Sequence, residues 1–341
     1  MPKSWKTYKL TELVENIVDN RGKTCPTAET GIPLIATNCI RNEKLYPDFI
    51  NIRYVSDKTY ENWFRAHPQP EDLLFVLKGT PGRVCWTPNP VNFCIAQDMV
   101  ALRAKKNIIY PKYLFALLRS KLAQDRINAL HVGSLIPHFK KTDFDKLELP
   151  VFEDINYQKE VGDMYFDICD KIENNLAINK TLEEMAMALY KHWFVDFGPF
   201  QNGEFVESEL GLIPKGWEIG KLEDLLEIKY GKDHKKLSDG LIPVYGSGGI
   251  MRYVNESLYD KESILIPRKG TLSNLFYVSQ PFWSVDTMFY SKIKDIDFGK
   301  YIFYFLKTID LASMDVGSAV PSLTTELLKR IAIIIPPKNI V

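Results

Sequence analysis

The stretch WKTYKLTEL at residues 5–13 returns 212 positions later as WEIGKLEDL at residues 217–225. Both follow the pattern W-x-x-x-K-L-x-[ED]-L, and further short matches follow them in one order. These matches are RGK at 21–23 with YGK at 230–232, IPL at 32–34 with IPV at 242–244, LKGT at 77–80 with RKGT at 268–271, QDM at 97–99 with VDTM at 285–288, YLFALL at 113–118 with YIFYFL at 301–306, and GSLIP at 133–137 with GSAVP at 317–321. Each series closes on an apolar run ending in proline, at Pro150 and Pro336. Two halves of one fold could share turn chemistry by chance, but the shared order of matches predicts two copies of one domain.

Each copy has the pattern of a small mixed domain. Short apolar runs such as residues 73–77 alternate with Gly, Pro and Asn turns, which is typical of strands. Residues 111–122 predict a helix, because Pro111 suits a first helical turn, and residues 300–308 are the counterpart. The predicted fold class is therefore α+β, with a curved, mostly antiparallel sheet in each copy. The predicted boundaries divide the chain into residues 1–152, 153–200 and 201–341.

The segment between the copies predicts one long helix. Residues 153–195 contain no proline and one glycine, Gly162. Seam residues recur in steps of three and four, as in an a/d heptad pattern, at positions 165, 168, 172, 175, 179, 182, 186, 189 and 193. At 1.5 Å per residue, about 40 residues would span roughly 60 Å. So regular a seam predicts an apolar partner opposite it; the alternative is a solvated connector helix packed lightly on one domain.

The charge of the chain is unevenly distributed. The 341 residues have a formal net charge of zero. Residues 1–151 carry 22 Lys and Arg against 15 Asp and Glu, residues 152–212 carry 4 against 13, and residues 213–341 carry 17 against 15. Because a ligand responds to the local field, two basic blocks around an acidic one are compatible with a polyanionic partner.

Other features of the composition favour a cytoplasmic location. The sequence has no run of 18 apolar residues, and its N-terminus MPKSWK lacks the apolar stretch of a signal peptide. The five cysteines are odd in number and contain no C-x-x-C, which favours reduced thiols over disulfides or a zinc site. We therefore expect a soluble, cytoplasmic protein without membrane association.

The sequence carries no recognisable catalytic motif. There is no phosphate-binding G-x-x-x-x-G-K-[ST] and no G-x-S-x-G elbow. GSGG at 246–249 could form an anion-binding nest, but a glycine-rich turn is favoured, and His131 and His138 lack a carboxylate at metal-ligand spacing. PPK at 336–338 is not the [ND]PP[YF] of a DNA amino-methyltransferase, and EIK at 227–229 lacks the preceding Pro-Asp of a nuclease. We expect this chain to catalyse nothing and to bind no metal.

Two basic, turn-rich domains on one helix suit double-stranded DNA as a ligand. Duplex phosphates attract Lys and Arg whatever the sequence, and the major-groove edges carry the sequence code. In the repeated Lys-Gly-Thr, lysine can contact phosphate or guanine, glycine allows close approach, and threonine adds a hydroxyl; the alternative is a purely structural turn. The candidate DNA-binding residues are Arg21, Lys23, Lys78, Gly79, Thr80, Arg83 and Ser134 in the first copy and Lys232, Arg268, Lys269, Thr271, Ser273, Asn274 and Ser318 in the second.

The order of these motifs resembles the specificity (S) subunit of type I restriction-modification enzymes. The resemblance rests on the W-x-x-x-K-L opening, Lys-Gly-Thr, the Gly-Ser-x-x-Pro stretch, the closing apolar run and the intervening heptad helix. It implies that each copy is a target recognition domain reading one half of a split, asymmetric DNA sequence. It also implies docking of two methyltransferase subunits, which would bring S-adenosylmethionine, and a separate restriction motor-nuclease subunit. Leu182, Leu189 and Trp193 are the candidate docking residues.

One departure from the family pattern concerns the end of the sequence. Family members usually carry a second helix after the second recognition domain, packed along the seam of the first. This sequence stops at Val341, five residues after Pro336. We therefore expect the seam to associate with a second copy of the chain or with a methyltransferase subunit. Two alternatives stay open at this point: a non-catalytic remnant of a fused restriction-methyltransferase enzyme, and a two-headed scaffold without a role in nucleic-acid binding.

Overall fold

A computed structural model describes residues 4–20, 23–130, 136–314 and 322–341. The chain divides into two units, Met1–Lys180 and Thr181–Val341. The division falls inside the long helix α5 (Ile155–Phe194), so that the longer part of this helix belongs to the first unit and the shorter part to the second. The prediction of one continuous helix between the copies is confirmed. The helical pattern at residues 153–195 extends two residues before the observed start and one residue past the observed end.

The first unit combines short strands with short helices. Its strands are β1 (Trp5–Lys9), β2 (Val14–Asp19), β3 (Ile32–Ile35), β4 (Arg53–Val55), β5 (Leu73–Val76), β6 (Val84–Trp86), β7 (Cys94–Ile95), β8 (Met99–Ala104) and β9 (Glu148–Phe152). Its helices before α5 are α1 (Leu10–Leu13), α2 (Asp57–Trp63), α3 (Pro111–Arg119) and α4 (Lys121–Leu130). The strands form three small sheets in the orders β1-β9, β2-β8-β5-β6 and β4-β3-β7, all antiparallel except for the parallel pair of β3 and β7.

The second unit opens with a hairpin and then repeats the pattern of the first. Its strands are β10 (Phe205–Ser208), β11 (Gly211–Pro214), β12 (Glu218–Lys221), β13 (Leu226–Tyr230), β14 (Asp239–Gly246), β15 (Gly249–Val254), β16 (Ser263–Pro267), β17 (Phe276–Val278), β18 (Trp283–Ser284), β19 (Met288–Ile293) and β20 (Ala332–Ile335). Its helices after α5 are α6 (Leu222–Leu225), α7 (Gly299–Thr308) and α8 (Thr325–Lys329). The sheets are β10-β11, β12-β20, β13-β19-β16-β17 and β15-β14-β18.

The three sheets of the first unit each have a counterpart in the second. Position by position, β12-β20 matches β1-β9, β13-β19-β16-β17 matches β2-β8-β5-β6, and β15-β14-β18 matches β4-β3-β7. Even the single parallel pair recurs, as β14 with β18. Two tandem copies of one α+β domain are therefore confirmed. The sheets are mostly antiparallel, as predicted, with one parallel pair in each unit.

The W-x-x-x-K-L pattern encodes a strand that turns into one helical turn. The lysine at the corner donates its backbone N–H to an acidic side chain three residues on, Lys9 to Glu12 at 2.7 Å and Lys221 to Asp224 at 2.7 Å. The following leucine, Leu10 in the first copy, is fully buried in both units. The pattern thus supplies a helix cap and a core anchor at once, which explains why the same residue types stand at both places.

The helix predicted at residues 111–122 is shorter than expected. It ends at Arg119, because Ser120 adopts an extended backbone conformation and begins a second helix, α4. The Ser120 hydroxyl accepts a hydrogen bond from the backbone N–H of Ala123 at 3.2 Å. Serine competes well for such a capping position, so the continuous pattern is divided into two helices.

Gly162 lies at a close contact between α5 and α3 in the first unit. A Cβ atom added at Gly162 would lie 2.6 Å from the backbone nitrogen of Tyr113 and 3.0 Å from the carbonyl carbon of Lys112. Both atoms belong to the backbone and cannot rotate away. The glycine is therefore required by packing, although glycine in a helix interior costs about 1 kcal/mol relative to alanine.

We expect Gly162→Ala to lower the free energy of unfolding of the first unit by about 1–3 kcal/mol, because overpacking outweighs the gain in helix propensity. Urea denaturation followed by circular dichroism would measure the change. Ala177→Gly, at an exposed position of the same helix, is the matched control and should cost about 1 kcal/mol through propensity alone. A stabilised Gly162→Ala variant would contradict the contact.

Candidate nucleic-acid interface

The two Lys-Gly-Thr loops occupy the same place in the two units. The backbone N–H groups of Leu77 and Lys78 both donate to the carbonyl of Asp98, at 2.8 and 3.3 Å. In the second unit, Arg268 and Lys269 donate to the carbonyl of Thr287 at 2.9 and 3.3 Å. Both loops therefore leave the end of a central strand and are held by the segment that leads into the neighbouring strand.

The glycine of each loop has a structural reason. Gly79 has a φ of +87° and Gly270 a φ of +88°, a left-handed conformation that side chains disfavour. A turn of this shape needs glycine in both copies whatever the protein binds. The backbone geometry makes no such demand on the neighbouring lysine and threonine, so any ligand-binding role of the loop rests on those side chains.

In the first unit the structure brings four predicted residues into one loop. Lys78, Thr80 and Arg83 are partly buried and Gly79 is exposed. The Gly79 N–H donates to the carbonyl of Pro137 at 2.9 Å. Among the described residues, neither Lys78 nor Arg83 forms an ion pair. Their charges are therefore not neutralised by this part of the chain, as a phosphate-binding loop requires.

The remaining predicted residues of the first unit are less informative. Lys23 is exposed and makes no ion pair with the described part of the chain. Arg21 and Ser134, together with Ser318 of the second unit, lie outside the described residues. Their assignment to DNA binding stays a prediction.

In the second unit three segments that are distant in sequence meet at the loop. The Asn274 side-chain amide donates to the carbonyl of Ser247 at 2.7 Å, which joins the loop to the β14–β15 turn. The Lys232 N–H donates to the carbonyl of Ser284 at 2.9 Å, and the indole of Trp283 donates back to the carbonyl of Lys232 at 2.9 Å. Lys232 is thus anchored to the segment before β19 that also holds Lys269. Lys232, Lys269, Thr271 and Ser273 are exposed.

The sequence analysis missed two contributors to this surface. Tyr230 is 51% exposed, and its ring centroid lies 5.7 Å from the guanidinium carbon of Arg268. Ser247 supplies the carbonyl that Asn274 uses. The repeat alignment placed Tyr230 opposite Arg21 and could have drawn attention to it. Ser247 belongs to the GSGG turn considered above, but no sequence signal indicated its contact with Asn274, which joins loops 27 residues apart.

A second basic cluster lies on the β13–β19 strand pair. Glu227 faces Lys292 across the pair and forms an ion pair with Lys229. A hydrogen bond from Lys229, with smaller contributions from Lys292 and Lys294, holds the pKa of Glu227 below its usual range. The three lysines outnumber this carboxylate, which leaves the surface electropositive.

The described residues contain neither a cluster of metal ligands nor a helix suited to cross a membrane. No group of three or more His, Cys, Asp or Glu residues that could hold a metal ion is found within the described ranges. The carboxylate of the EIK triplet at 227–229 is engaged by its own lysine. In the same part of the chain, no helix combines the length and the apolar character needed to cross a membrane.

Helix α5 presents apolar side chains to solvent. Residues 174–182 are all exposed, and Leu182 and Leu189 are 56% and 60% exposed. Further along the predicted seam, Ile168 and Ile172 are 55% and 46% exposed. The helix packs on its own units through Val161, Tyr165, Phe166 and Cys169 in the first unit and Met187, Tyr190 and Phe194 in the second, so the seam position Tyr165 is covered by its own unit.

The third predicted docking residue has contacts of its own. Trp193 is partly buried, and its ring meets that of Phe200 edge to face at 6.1 Å. Together with Leu189, Tyr304 and Val341 it lines an apolar groove of about 320 Å³ on the second unit. Leu182 and Leu189 are therefore available to a partner as they stand, whereas Trp193 also stabilises its own unit.

Comparison with known proteins points to one family. A family model described as the type I restriction modification DNA specificity domain matches residues 2–184 and 214–340. Among curated relatives, the type I restriction enzyme MjaIX specificity subunit of Methanocaldococcus jannaschii is 29% identical over 239 residues, which cover 68% of this chain and 54% of the relative. The MjaVIII specificity subunit of the same organism is 31% identical over 241 residues, covering 69% and 52%. The chain thus spans about half the length of these relatives.

A solved structure supports the same fold. The S subunit of a type I restriction-modification system from M. genitalium has a TM-score of 0.57 and 19% identity, and the match covers 99% of this chain and 87% of that one. At this identity the likeness concerns the fold alone. A longer curated match, the putative type I restriction enzyme MjaX specificity subunit of M. jannaschii, is 25% identical over 377 residues, covering 99% of this chain and 84% of the relative.

Proposed function

Because the chain belongs to the family of type I restriction-modification DNA specificity domains, we propose that it recognises DNA for a type I restriction-modification enzyme. Its target is a bipartite, asymmetric duplex sequence with one half-site for each unit. The observation that carries the proposal is the repetition of one topology, with a Lys-Gly-Thr loop at the same strand end in both units whose lysine forms no ion pair with the described part of the chain.

The chemistry of the two loops supports different half-sites. The loops share a backbone frame, so they can approach DNA in the same way. Their side chains differ, since Arg83 follows the first loop, whereas Arg268, Ser273 and Asn274 belong to the second. Phosphate contacts fix the register of a protein on DNA, and base-edge contacts supply the sequence preference. Two loops with the same backbone conformation but different side chains can read two different half-sites, as an asymmetric target requires.

The catalytic steps belong to partner subunits in this proposal. Methyltransferase subunits would dock on the exposed apolar face of α5 around Leu182 and Leu189 and would carry the S-adenosylmethionine. A restriction motor-nuclease subunit would join through the assembled complex. The same apolar face could instead pair with a second copy of the chain, and the composition of the purified complex would distinguish the two arrangements. This chain itself contributes recognition and no catalytic group.

Methylome sequencing tests the proposal directly. A host that expresses the chain with its partner subunits should carry methylated adenine in a bipartite motif. The same host without the chain should lose methylation at that motif, while other methylated motifs remain. Methylation that does not depend on the chain would reject the assignment as a specificity subunit.

We expect Lys78→Ala and Lys269→Ala each to weaken duplex binding, because each removes an unneutralised cation from a loop. A contact with a base would cost about 1–3 kcal/mol, confined to one half-site. A contact with phosphate would weaken binding to all sequences and lower its salt dependence. Fluorescence anisotropy with duplexes altered in one half-site at a time would measure both quantities.

The matched control for this pair is Lys121→Ala. Lys121 has an 89% exposed side chain on α4, is paired with Asp125 and belongs to neither Lys-Gly-Thr loop. Its removal should leave affinity and salt dependence unchanged. Unaltered DNA binding in both loop variants would place the interface elsewhere on the units.

A further inference from the structure

The two units differ sharply in chemistry at the residue before Lys-Gly-Thr. Leu77 stands there in the first unit, 5% exposed and part of the apolar core. Arg268 stands there in the second unit, at a position with the same backbone hydrogen bonds. One backbone frame thus carries a core leucine in one copy and a cation in the other.

Arg268 is costly to the free protein. Within the described ranges, its solvent-shielded Nε atom has no hydrogen-bond partner and its guanidinium forms no ion pair. Burying part of a cation without an acceptor is unfavourable, and leucine at the same frame position shows that the fold does not require it. A ligand that supplies acceptors would offset this cost on binding.

Tyr230 holds the guanidinium in place. The Arg268 guanidinium carbon lies 5.7 Å from the Tyr230 ring centroid, within the range of a cation–π contact. The Tyr230 ring is itself fixed against the fully buried Phe289, edge to face at 5.0 Å. A guanidinium packed on an aromatic ring keeps its donors directed along its own plane, which suits paired acceptors better than a single point charge.

The backbone of Arg268 is held by hydrogen bonds as well. The Arg268 N–H donates to the carbonyl of Thr287 at 2.9 Å, and its carbonyl accepts from the N–H of Leu323 at 3.0 Å. Arg268 follows directly after strand β16, so the arginine projects from a strand end and not from the middle of a loop. Lys269 comes next; its backbone N–H shares the Thr287 carbonyl at 3.3 Å, but the residue is exposed.

We propose that Arg268, positioned by Tyr230, reads one guanine in the half-site of the second unit through paired hydrogen bonds to O6 and N7. Lys269 contacts the adjacent phosphate. Arginine bidentate to guanine is the commonest base-specific contact in the major groove, and a fixed planar fork is its geometric requirement. The first unit, with Leu77, has no equivalent reader. This inference rests on the proposed function.

The test selects binding sites from a duplex library randomised over both half-sites, using the full chain and its partner subunits. The wild-type complex should select a guanine at one position of one half-site. Arg268→Leu should reduce the preference for that guanine over the other bases by about 5- to 150-fold, the equivalent of about 1–3 kcal/mol. The preferences in the other half-site should not change, and Tyr230→Ala should give a smaller loss at the same position.

Thermal denaturation controls for folding. Arg268→Leu should keep or raise Tm, because leucine occupies the matching position in the first unit. Arg268→Lys keeps the charge but lacks the planar fork, and it should lose the preference for guanine while it retains much of the overall affinity. Two results would overturn the inference: a uniform, salt-sensitive loss in Arg268→Leu, which assigns the residue to phosphate, and an unchanged guanine preference. A wild-type complex that selects no sequence would instead reject the proposed function.

Discussion

Replacement of Leu182 and Leu189 by aspartate is expected to reduce binding of methyltransferase subunits by about 100-fold or more. Each leucine is more than half exposed on the face of α5 that packs on neither unit. Removal of one buried hot-spot side chain costs at least about 2 kcal/mol, and a carboxylate in its place adds the cost of burying a charge. Calorimetric titration of the double variant with purified methyltransferase subunits would measure the loss, and DNA-binding loops remote from the change should be unaffected.

The control for this variant is Ala177→Asp with Ala188→Asp. Both alanines are exposed on the same helix, about 100–140° round its axis from the two leucines. The control adds the same two charges and the same two poor helix formers. If both double variants lose binding equally, charge or helix stability is responsible, and the docking face is wrong. If neither loses binding, the partner docks elsewhere.

The second large effect concerns the stability of the first unit. We expect Arg119→Ala to lower its free energy of unfolding by about 2–4 kcal/mol, because three backbone carbonyls, that of the buried Val84 among them, lose a charged donor. The Arg119 guanidinium donates to the carbonyl of Val84 at 2.9 Å, to that of Arg41 at 3.3 Å, and to that of Lys44. The guanidinium carbon of Arg119 also lies 4.3 Å from the ring centroid of Phe115. One side chain thus ties α3 to β6 and to the segment between β3 and β4.

Differential scanning calorimetry of the full chain would measure this effect as a lower Tm of one transition. Lys121→Ala, two residues further along and highly exposed, should change the free energy by less than about 0.5 kcal/mol. A loss below about 1 kcal/mol for Arg119→Ala would show that water replaces the guanidinium at these carbonyls.

The duplication was predictable because it depends on local patterns. A corner such as Lys9 to Leu13 needs a capping acid and a buried leucine at fixed spacing, and the second copy meets the same need with Lys221 to Leu225. The glycines at 79 and 270 were predictable for the same reason, because a turn with a positive φ needs glycine in both copies. The heptad spacing of apolar residues likewise predicted the long helix, because this spacing occurs wherever one face of a helix is apolar.

The candidate interface was predictable only in part. The Lys-Gly-Thr loops and Lys232 were identified from the repeat. The predicted end of α3 was wrong, because the hydrogen bond that Ser120 accepts as a helix cap competes with continuation of the helix at this single residue. The roles of Arg268 and Trp193 could not be separated from those of their neighbours in sequence, since partners such as Tyr230 and Phe200 decide them.

The amino-acid sequence by itself determined that this protein repeats one domain, joins the copies by a helix, and places cations in equivalent turns. These properties depend on spacing within short segments, where propensity and capping act. Only the tertiary structure decided which face of the helix stays exposed and which arginine has a shielded Nε atom without an acceptor among the described residues. Both depend on contacts between segments far apart in the chain, because a partly buried cation gains or lacks a partner only when those segments meet.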